Sequence, residues 1–178
     1  MKKIILKNGK ELIIRRANTE DAEKMVQYMN YISGESNFLT FGENEMEITT
    51  EKQQQSIETI NDKNNSIMAV ALLDGEIVGS IVFRCGERIR VKHVGEMGVT
   101  VRKPYWGLGI GSFLLEFLIE WAKKTGITKK INLRVRTDNE NAIKLYNKYG
   151  FEKEGVHIRD FYINGEFYDS FSMGLLID

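Results

Sequence analysis

A glycine-rich segment in the second half of the chain has the residue types and spacing to bind a phosphate group. Gly107, Gly109 and Gly111 alternate with larger residues, after a predicted strand and before a predicted helix. Glycine lets the backbone approach a ligand closely, and the first turn of a helix leaves N–H groups without partners. Such groups bind phosphate or pyrophosphate, although a tight strand-to-helix turn is an alternative explanation for the glycines.

The spacing of this segment excludes two known phosphate motifs. A Walker loop needs Lys and then Ser or Thr after its last glycine, whereas Gly111 is followed by Ser112 and Phe113. The dinucleotide fingerprint needs a different interval between its glycines. We therefore expect neither a nucleoside triphosphate nor a nicotinamide dinucleotide here.

The surrounding pattern predicts that two strands and a helix position the glycines. Residues 93–101 form a predicted strand, in which Gly95 and Gly98 mark either a bulge or the close approach of another chain. An amphipathic helix follows the glycines, then an alternating strand at 131–136 and a shorter helix at 139–149. Strand, helix and strand in this order imply a right-handed crossover between two parallel neighbours.

Three hairpin signals predict that the sheet is partly antiparallel. Asn8-Gly9 separates predicted strands at 4–6 and 12–14, and Asp74-Gly75-Glu76 separates those at 67–73 and 77–83. Asn164-Gly165 separates the last two, at 156–163 and 166–176. Helices are predicted after Thr19 and from Thr50, which we assign as N-terminal caps. The irregular polar stretch 34–47 between these helices is a candidate substrate loop.

Length, charge and cysteine content bound the class of protein. The chain has 178 residues, with 25 Lys plus Arg and 25 Asp plus Glu, so its formal charge is zero. This length suits one domain, 1–178, and the balanced charge argues against nucleic acid as the main partner. We also expect no membrane segment, no metal site and no disulfide at the single Cys85, and hence a cytoplasmic protein.

Two motifs resemble those of the GNAT superfamily of N-acyltransferases. Residues 99–111 are similar to its acyl-CoA motif, Gln/Arg-x-x-Gly-x-Gly/Ala, and residues 137–152 are similar to the companion motif. One position departs from the pattern, because Trp106 stands where the family has Gln or Arg. The likeness covers essentially the whole chain, and its ending is similar to bacterial members that act on small amines or amino acids.

The resemblance implies a single N-acetyltransferase domain with an α+β fold. Its sheet would be mixed and mostly antiparallel, with about seven strands, about four helices and a central pair of splayed parallel strands. Acetyl-CoA would be the cosubstrate, bound in the gap between that pair. The residues implied to bind it are Val99, Thr100, Val101, Trp106, Gly107, Leu108, Gly109, Ile110, Gly111, Ser112, Asn139 and Tyr146.

The resemblance also implies a catalytic set. The Val99 N–H would polarise the thioester carbonyl, Val101 would pair with the pantetheine arm, and Tyr146 would be the general acid for the departing thiolate. Only a neutral amine attacks a thioester, so a general base helps. Glu96 and His93 lie on the strand beside the acyl group and point to opposite faces, so at most one faces the chemistry. Structural roles, in the core for Tyr146 and in an ion pair for Glu96, are the alternatives.

We therefore predict direct transfer of the acetyl group to a primary amine within a ternary complex. A small molecule such as an amino acid or polyamine is the favoured acceptor, and Phe38, Glu43 and His93 are candidates for its site. Acetylation of a protein N-terminus or lysine, and a CoA-binding sensor without turnover, are the alternatives. A homodimer formed through the C-terminal strands is expected from the habit of the family.

Overall fold

One sheet runs through the molecule, with helices on both faces. The computed structural model describes residues 1–43 and 45–178. Its strands are β1 Lys2–Ile5, β2 Glu11–Arg16, β3 Ile67–Leu73, β4 Glu76–Cys85, β5 Val94–Val101, β6 Lys130–Arg136, β7 Glu152–Ile163 and β8 Glu166–Leu176. Its α-helices are α1 Ala22–Glu35, α2 Thr50–Asn61, α3 Ile110–Thr125 and α4 Glu140–Lys148. Among the described residues, no helix combines the length and the hydropathy needed to cross a membrane.

The sheet confirms the predicted class and corrects the predicted strand count. Its order is β1-β2-β3-β4-β5-β6-β8-β7, so it has eight strands where about seven were expected. The count of about seven came from the family resemblance, whereas the strands predicted from the residue pattern number eight and include β1. The Asn8-Gly9 turn brings β1 into full register with β2, from Lys2 opposite Ile14 to Ile5 opposite Glu11. All neighbouring pairs are antiparallel except β5 and β6, as the crossover pattern predicts.

The N-caps of the first two helical segments each lie one residue before the predicted caps. A short 3-10 helix at Thr19–Asp21 precedes α1, and its N-cap is Asn18, not Thr19. The N-cap of α2 is Thr49, whose hydroxyl accepts a hydrogen bond from the Lys52 N–H at 3.3 Å. Both Thr49 and Thr50 are chemically able to cap, and only the extended backbone of Thr49 decides between them.

Alternation along the strands separates an apolar face from a polar one. In β6, Ile131, Leu133 and Val135 are buried in the core beneath α3. The intervening residues Asn132, Arg134 and Arg136 therefore lie on the opposite face, which α1 and α2 cover over the first half of the sheet. Ser172 and Ser170 of β8 stand opposite Arg134 and Arg136, so their side chains lie on the same polar face.

The parallel strands β5 and β6 separate after a short paired region. Their register has three pairs, from Val94 opposite Lys130 to Glu96 opposite Asn132, although both strands continue beyond it. This confirms the predicted splayed pair. The register between β4 and β5 is continuous, so neither Gly95 nor Gly98 forms a bulge. At Gly95 a Cβ atom would lie 2.6 Å from the Arg84 carbonyl oxygen, so the neighbouring strand β4 approaches too closely for a side chain.

Candidate active site

The edge of β5 that faces the gap carries free backbone groups. The Arg102 N–H donates to the Val78 oxygen of β4 at 2.9 Å. Because successive backbone groups of a strand point to opposite sides, the N–H and C=O groups of Val99 and Val101 point away from β4, into the gap. The Val101 oxygen accepts a hydrogen bond from the Trp106 indole, so both groups of Val99 and the Val101 N–H are left for a ligand. An extended ligand that contains amide groups is able to pair with such an edge as an added strand.

The glycine-rich segment presents a row of N–H donors beside this edge. Gly107 and Gly109 both have φ of 80°, the left-handed region in which a side chain is strained. Helix α3 begins at Ile110, and its first hydrogen bond runs from the Phe113 N–H to the Gly109 oxygen at 3.1 Å. Within the described part of the chain, the N–H groups of residues 107–112 find no acceptor. No acidic residue lies in the first turn of α3, so these donors form a cradle for an anion such as a pyrophosphate.

An ion pair anchors the strand end that leads into this segment. The Arg102 guanidinium donates to Glu35 Oε1 at 3.0 and 3.2 Å, and the Lys103 N–H donates to Glu35 Oε2 at 2.8 Å. Arg102 also stacks 4.0 Å from the centre of the Tyr31 ring. The last turn of α1 therefore fixes the end of β5.

Helix α4 lies close to the gap and begins at a side-chain cap. Asn139 Oδ1 accepts a hydrogen bond from the Ala142 N–H at 3.3 Å, which confirms Asn139 as a helix cap. Its amide NH₂ group has no acceptor among residues 1–43 and 45–178, so two donors remain for a ligand.

Tyr146 is a buried residue of α4. Its ring centre lies 5.8 Å from that of Phe151, and both belong to the core beneath the sheet. Burial raises the pKa of the Tyr146 hydroxyl to about 12, so this group is protonated at neutral pH. No described residue hydrogen-bonds to the hydroxyl, which leaves its proton available. Tyr146 is therefore able to pack in the core and to donate a proton as well.

A cleft of about 350 Å³ lies on the polar face, where β5 and β6 begin to separate. Arg134 Nε lies 3.7 Å from Glu96 Oε1, and Arg134 Nη1 lies 3.3 Å from Asp160 Oδ1. Two carboxylates therefore share one guanidinium, and this group carries an excess negative charge that favours a cationic ligand. The cleft is lined by Glu96, Asn132, Leu133, Arg134, His157 and Ser172.

The structure separates the candidate acceptor residues. Glu96 lines the cleft, whereas His93 is exposed in the turn before β5, where its backbone oxygen accepts from the Lys129 N–H at 2.8 Å. Phe38 stacks over a guanidinium of β6. The Glu43 side chain folds back beside Gly34, outside the residues that line the cleft.

Sequence reasoning missed several polar residues of this cleft. The alternation in residues 131–136 was a sufficient signal for Asn132 and Arg134, since it predicts a shared polar face. The signal for His157 and Asp160 was absent, because nothing local shows which strand lies beside β6. The buried Oδ1 of Asn132 has no partner among the described residues, as expected where a ligand or water binds.

Comparisons with known proteins agree with this geometry. A family model described as "Acetyltransferase (GNAT) family" matches residues 34–151. The L-amino acid N-acetyltransferase AaaT of Escherichia coli (strain K12) is 31% identical over 163 residues, 92% of this chain and 96% of that protein. The crystal structure of a GNAT family acetyltransferase from Streptococcus pneumoniae has a TM-score of 0.91 at 36% identity, over 94% of this chain and 99% of that one. The yncA structure from Salmonella typhimurium, solved with acetyl-CoA, has a TM-score of 0.82 at 20% identity over 94% of each chain, so it bears on the fold alone.

Proposed function

The chain belongs to the GNAT family of acetyltransferases, and on this basis we propose that it transfers an acetyl group from acetyl-CoA to the primary amine of an amino acid. One observation carries the proposal. The anion cradle at residues 107–112 lies on the α3 face of the sheet, the charged cleft lies on the other face, and the gap between β5 and β6 joins them. A donor held by the cradle and an amine held by the cleft would meet in the gap.

The residues present fit acetyl-CoA. The free N–H groups of residues 107–112, beside Trp106, match the charge and size of a pyrophosphate. The gap-facing N–H and C=O groups of Val99 and the N–H of Val101 match the amides of a pantetheine arm, whereas the backbone groups of Thr100 point toward β4. The NH₂ group of Asn139 supplies two further donors. When bound, acetyl-CoA supplies a reactive thioester.

The catalytic roles follow from positions around the gap. The Val99 N–H donates to the thioester oxygen as negative charge grows there. Tyr146 donates its proton to the departing sulphur, because its hydroxyl is protonated and unengaged. Glu96 accepts the proton of the amine. Since Glu96 precedes Val99 by three residues, or about 10 Å of strand, the proton reaches Glu96 through water.

The charges of the cleft support an amino acid as the acceptor. Glu96 and Asp160 contact Nε and Nη1 of Arg134, so Nη2 is left to donate to a ligand carboxylate, while Glu96 and Asp160 attract an ammonium group. The relative AaaT, by its name, acts on L-amino acids. Phe38 is kept in the proposed acceptor site because it contacts Arg136 of β6. The positions of His93 and Glu43 do not support placing these two residues in that site.

A thiol-release assay with acetyl-CoA and a panel of free amino acids, polyamines, aminoglycosides and short peptides tests the proposal. We expect turnover with L-amino acids and little with their decarboxylated amines. Arg134→Gln should raise the KM for amino acids by about tenfold and leave that for a simple amine nearly unchanged. Preferred turnover of peptides would favour a protein acetyltransferase. Confirmed CoA binding without any turnover would favour the sensor.

We also propose that the protein acts as a homodimer in the cytoplasm, where acetyl-CoA is supplied. Strand β7 is an outer edge of the sheet, and apolar side chains of its hairpin are exposed: Ile158 at 78%, Tyr162 at 67% and Phe167 at 55%. Light scattering after gel filtration tests the dimer. Ile158→Glu should yield a monomer, whereas Ile89→Glu, at a residue 82% exposed in the β4–β5 loop, should not. A wild-type monomer would contradict the proposal.

A further inference from the structure

Arg136 is a buried arginine whose guanidinium makes specific contacts with four other residues. Only 5% of the residue is exposed. Its Nε and Nη2 atoms donate to the two carboxylate oxygens of Asp138 at 3.0 and 2.6 Å, and Nη1 donates to the Asn37 carbonyl oxygen at 2.8 Å. The guanidinium carbon also lies over two aromatic rings, 3.7 Å from the centre of Tyr168 and 5.0 Å from that of Phe38.

These contacts join two separate segments of the chain to the end of β6. Asn37 and Phe38 belong to the connection between α1 and α2, the candidate substrate loop. Asp138 lies in the turn before α4, the helix that carries Tyr146. The backbone oxygen of Arg136 also accepts a hydrogen bond from the Asn139 N–H at 3.0 Å. One residue at the end of β6 therefore contacts both the loop over the acceptor face and the turn on the acetyl-CoA face.

We propose that Arg136 is a positioning residue that holds the 36–39 segment as a wall of the acceptor site and fixes the turn before α4 at the same time. This inference rests on the proposed acetyl transfer. Arg136 touches neither substrate in this arrangement. It acts through Phe38 on the amine and through Asp138 and Asn139 on acetyl-CoA.

Only arginine satisfies all of these contacts together. The planar guanidinium forms a fork for Asp138, keeps a donor for Asn37 and offers two flat faces to Phe38 and Tyr168. Lysine keeps the positive charge but has neither the fork nor the faces. Replacing Arg136 by lysine therefore preserves the local charge while it releases the loop, the turn or both.

The test compares Arg136→Lys with Arg15→Lys. Arg15 forms an equally short fork with the buried Asp21, at 2.7 Å for both bonds, on strand β2 and away from the gap. Three kinds of measurement are made. The first is amide hydrogen exchange of residues 36–43 without ligand, the second is the affinity for CoA by calorimetry, and the third is steady-state kinetics, which gives KM and kcat for the amine. The first two do not depend on turnover, so they decide this inference even if the proposed reaction is wrong.

We expect Arg136→Lys to accelerate exchange in residues 36–43, to raise the amine KM by about tenfold and to weaken CoA binding by about threefold. Arg15→Lys should lower the melting temperature without any of these three effects. Phe38→Leu should raise the amine KM and leave CoA affinity unchanged, and it replaces Arg136→Lys if that variant does not fold. Exchange rates and CoA affinity for Arg136→Lys equal to those of Arg15→Lys would overturn the inference. For Phe38→Leu, unchanged amide exchange in residues 36–43 together with an unchanged amine KM would also overturn the inference.

Discussion

The indole Nε1 of Trp106 donates a hydrogen bond of 2.7 Å to the carbonyl oxygen of Val101. The bond connects the start of the glycine-rich segment to the edge of β5 that faces the gap. Trp106 stands at the one position where the acyl-CoA motif departs from the family pattern, and half of its side chain is exposed. The tryptophan therefore supplies a contact between the loop and the strand, in place of the Gln or Arg side chain found in the family.

Replacing Trp106 should weaken acetyl-CoA binding more than it slows the reaction. Trp106→Phe keeps a ring but removes the N–H donor, so the cradle loses its connection to Val101. We expect the KM for acetyl-CoA to rise about threefold to tenfold, with a smaller change in kcat. Steady-state kinetics at saturating amine measures both.

Fluorescence provides an independent check on Trp106. The chain has two tryptophans, and Trp121 packs against Phe83 in the core. In a Trp121→Phe variant the emission comes from Trp106 alone, and we expect it to change on titration with CoA. A spectrum that stays constant through saturation would place the ligand away from Trp106.

Tyr146→Phe should lower kcat by about a hundredfold or more and leave the affinity for CoA nearly intact, because only the proton donor is lost. The matched control is Tyr149→Phe on the next turn, where the hydroxyl donates to Glu116 Oε1 at 2.6 Å. Since burial raises the pKa of Tyr146 to about 12, the pH–rate profile should show no falling limb from this group at neutral or mildly alkaline pH. A kcat equal to that of Tyr149→Phe would exclude Tyr146 as the acid.

Two glycines that flank α3 allow the effect of backbone strain on stability to be distinguished from an effect on ligand binding. Gly109 precedes the helix with φ of 80°, and Gly126 follows it with φ of 67°. Alanine at either position should lower the free energy of unfolding by about 1 kcal/mol. Only Gly109→Ala should also raise the KM for acetyl-CoA, because only Gly109 belongs to the cradle. Equal KM values in the two variants would contradict the pyrophosphate assignment.

Stability at low pH should depend on Asp138. The hydrogen bond from Arg136 holds the pKa of this carboxyl below its ordinary value of 3.8, and this effect exceeds the opposing effect of desolvation. A lowered pKa stabilises the folded state fully above the ordinary value, and the contribution is lost as pH falls through the lowered one. Asp138→Asn should therefore melt at a lower temperature than wild type at pH 7, and the difference should shrink below about pH 4.

Thermal unfolding at several pH values measures this difference. Asp74→Asn serves as the control, because it breaks an exposed pair with Lys10 and should be nearly neutral throughout. A constant difference between wild type and Asp138→Asn from pH 7 to pH 3 would show that the carboxylate charge is not what stabilises the turn.

Local patterns were sufficient to predict the elements around the cradle. The alternate glycines, the amphipathic run after them and the turn dipeptides Asn8-Gly9 and Asn164-Gly165 are short-range signals, and each one formed the expected structure. The local patterns predicted all eight strands, whereas the family resemblance implied one too few. The predicted caps at Thr19 and Thr50 were wrong by one residue. Neighbouring residues at those caps have nearly equal propensities, so the surrounding structure decides between them.

Long-range contacts could not be predicted in the same way. The pairing of Glu35 with Arg102 joins residues on two elements distant in the chain, and that of Arg134 with Asp160 depends on β8 entering the sheet beside β6. The roles assigned to Tyr146, Glu96 and Val99 are still predictions, since the geometry is compatible with them without testing them.

The opening between β5 and β6 is a break in the sheet itself, and this has a consequence for the order of events. In the proposed reaction the two substrates enter from opposite faces, so neither has to pass the other. The acetyl group alone crosses the plane of the sheet. Either substrate is then free to bind first, and the thiol product can dissociate while the acetylated amine still occupies its own face.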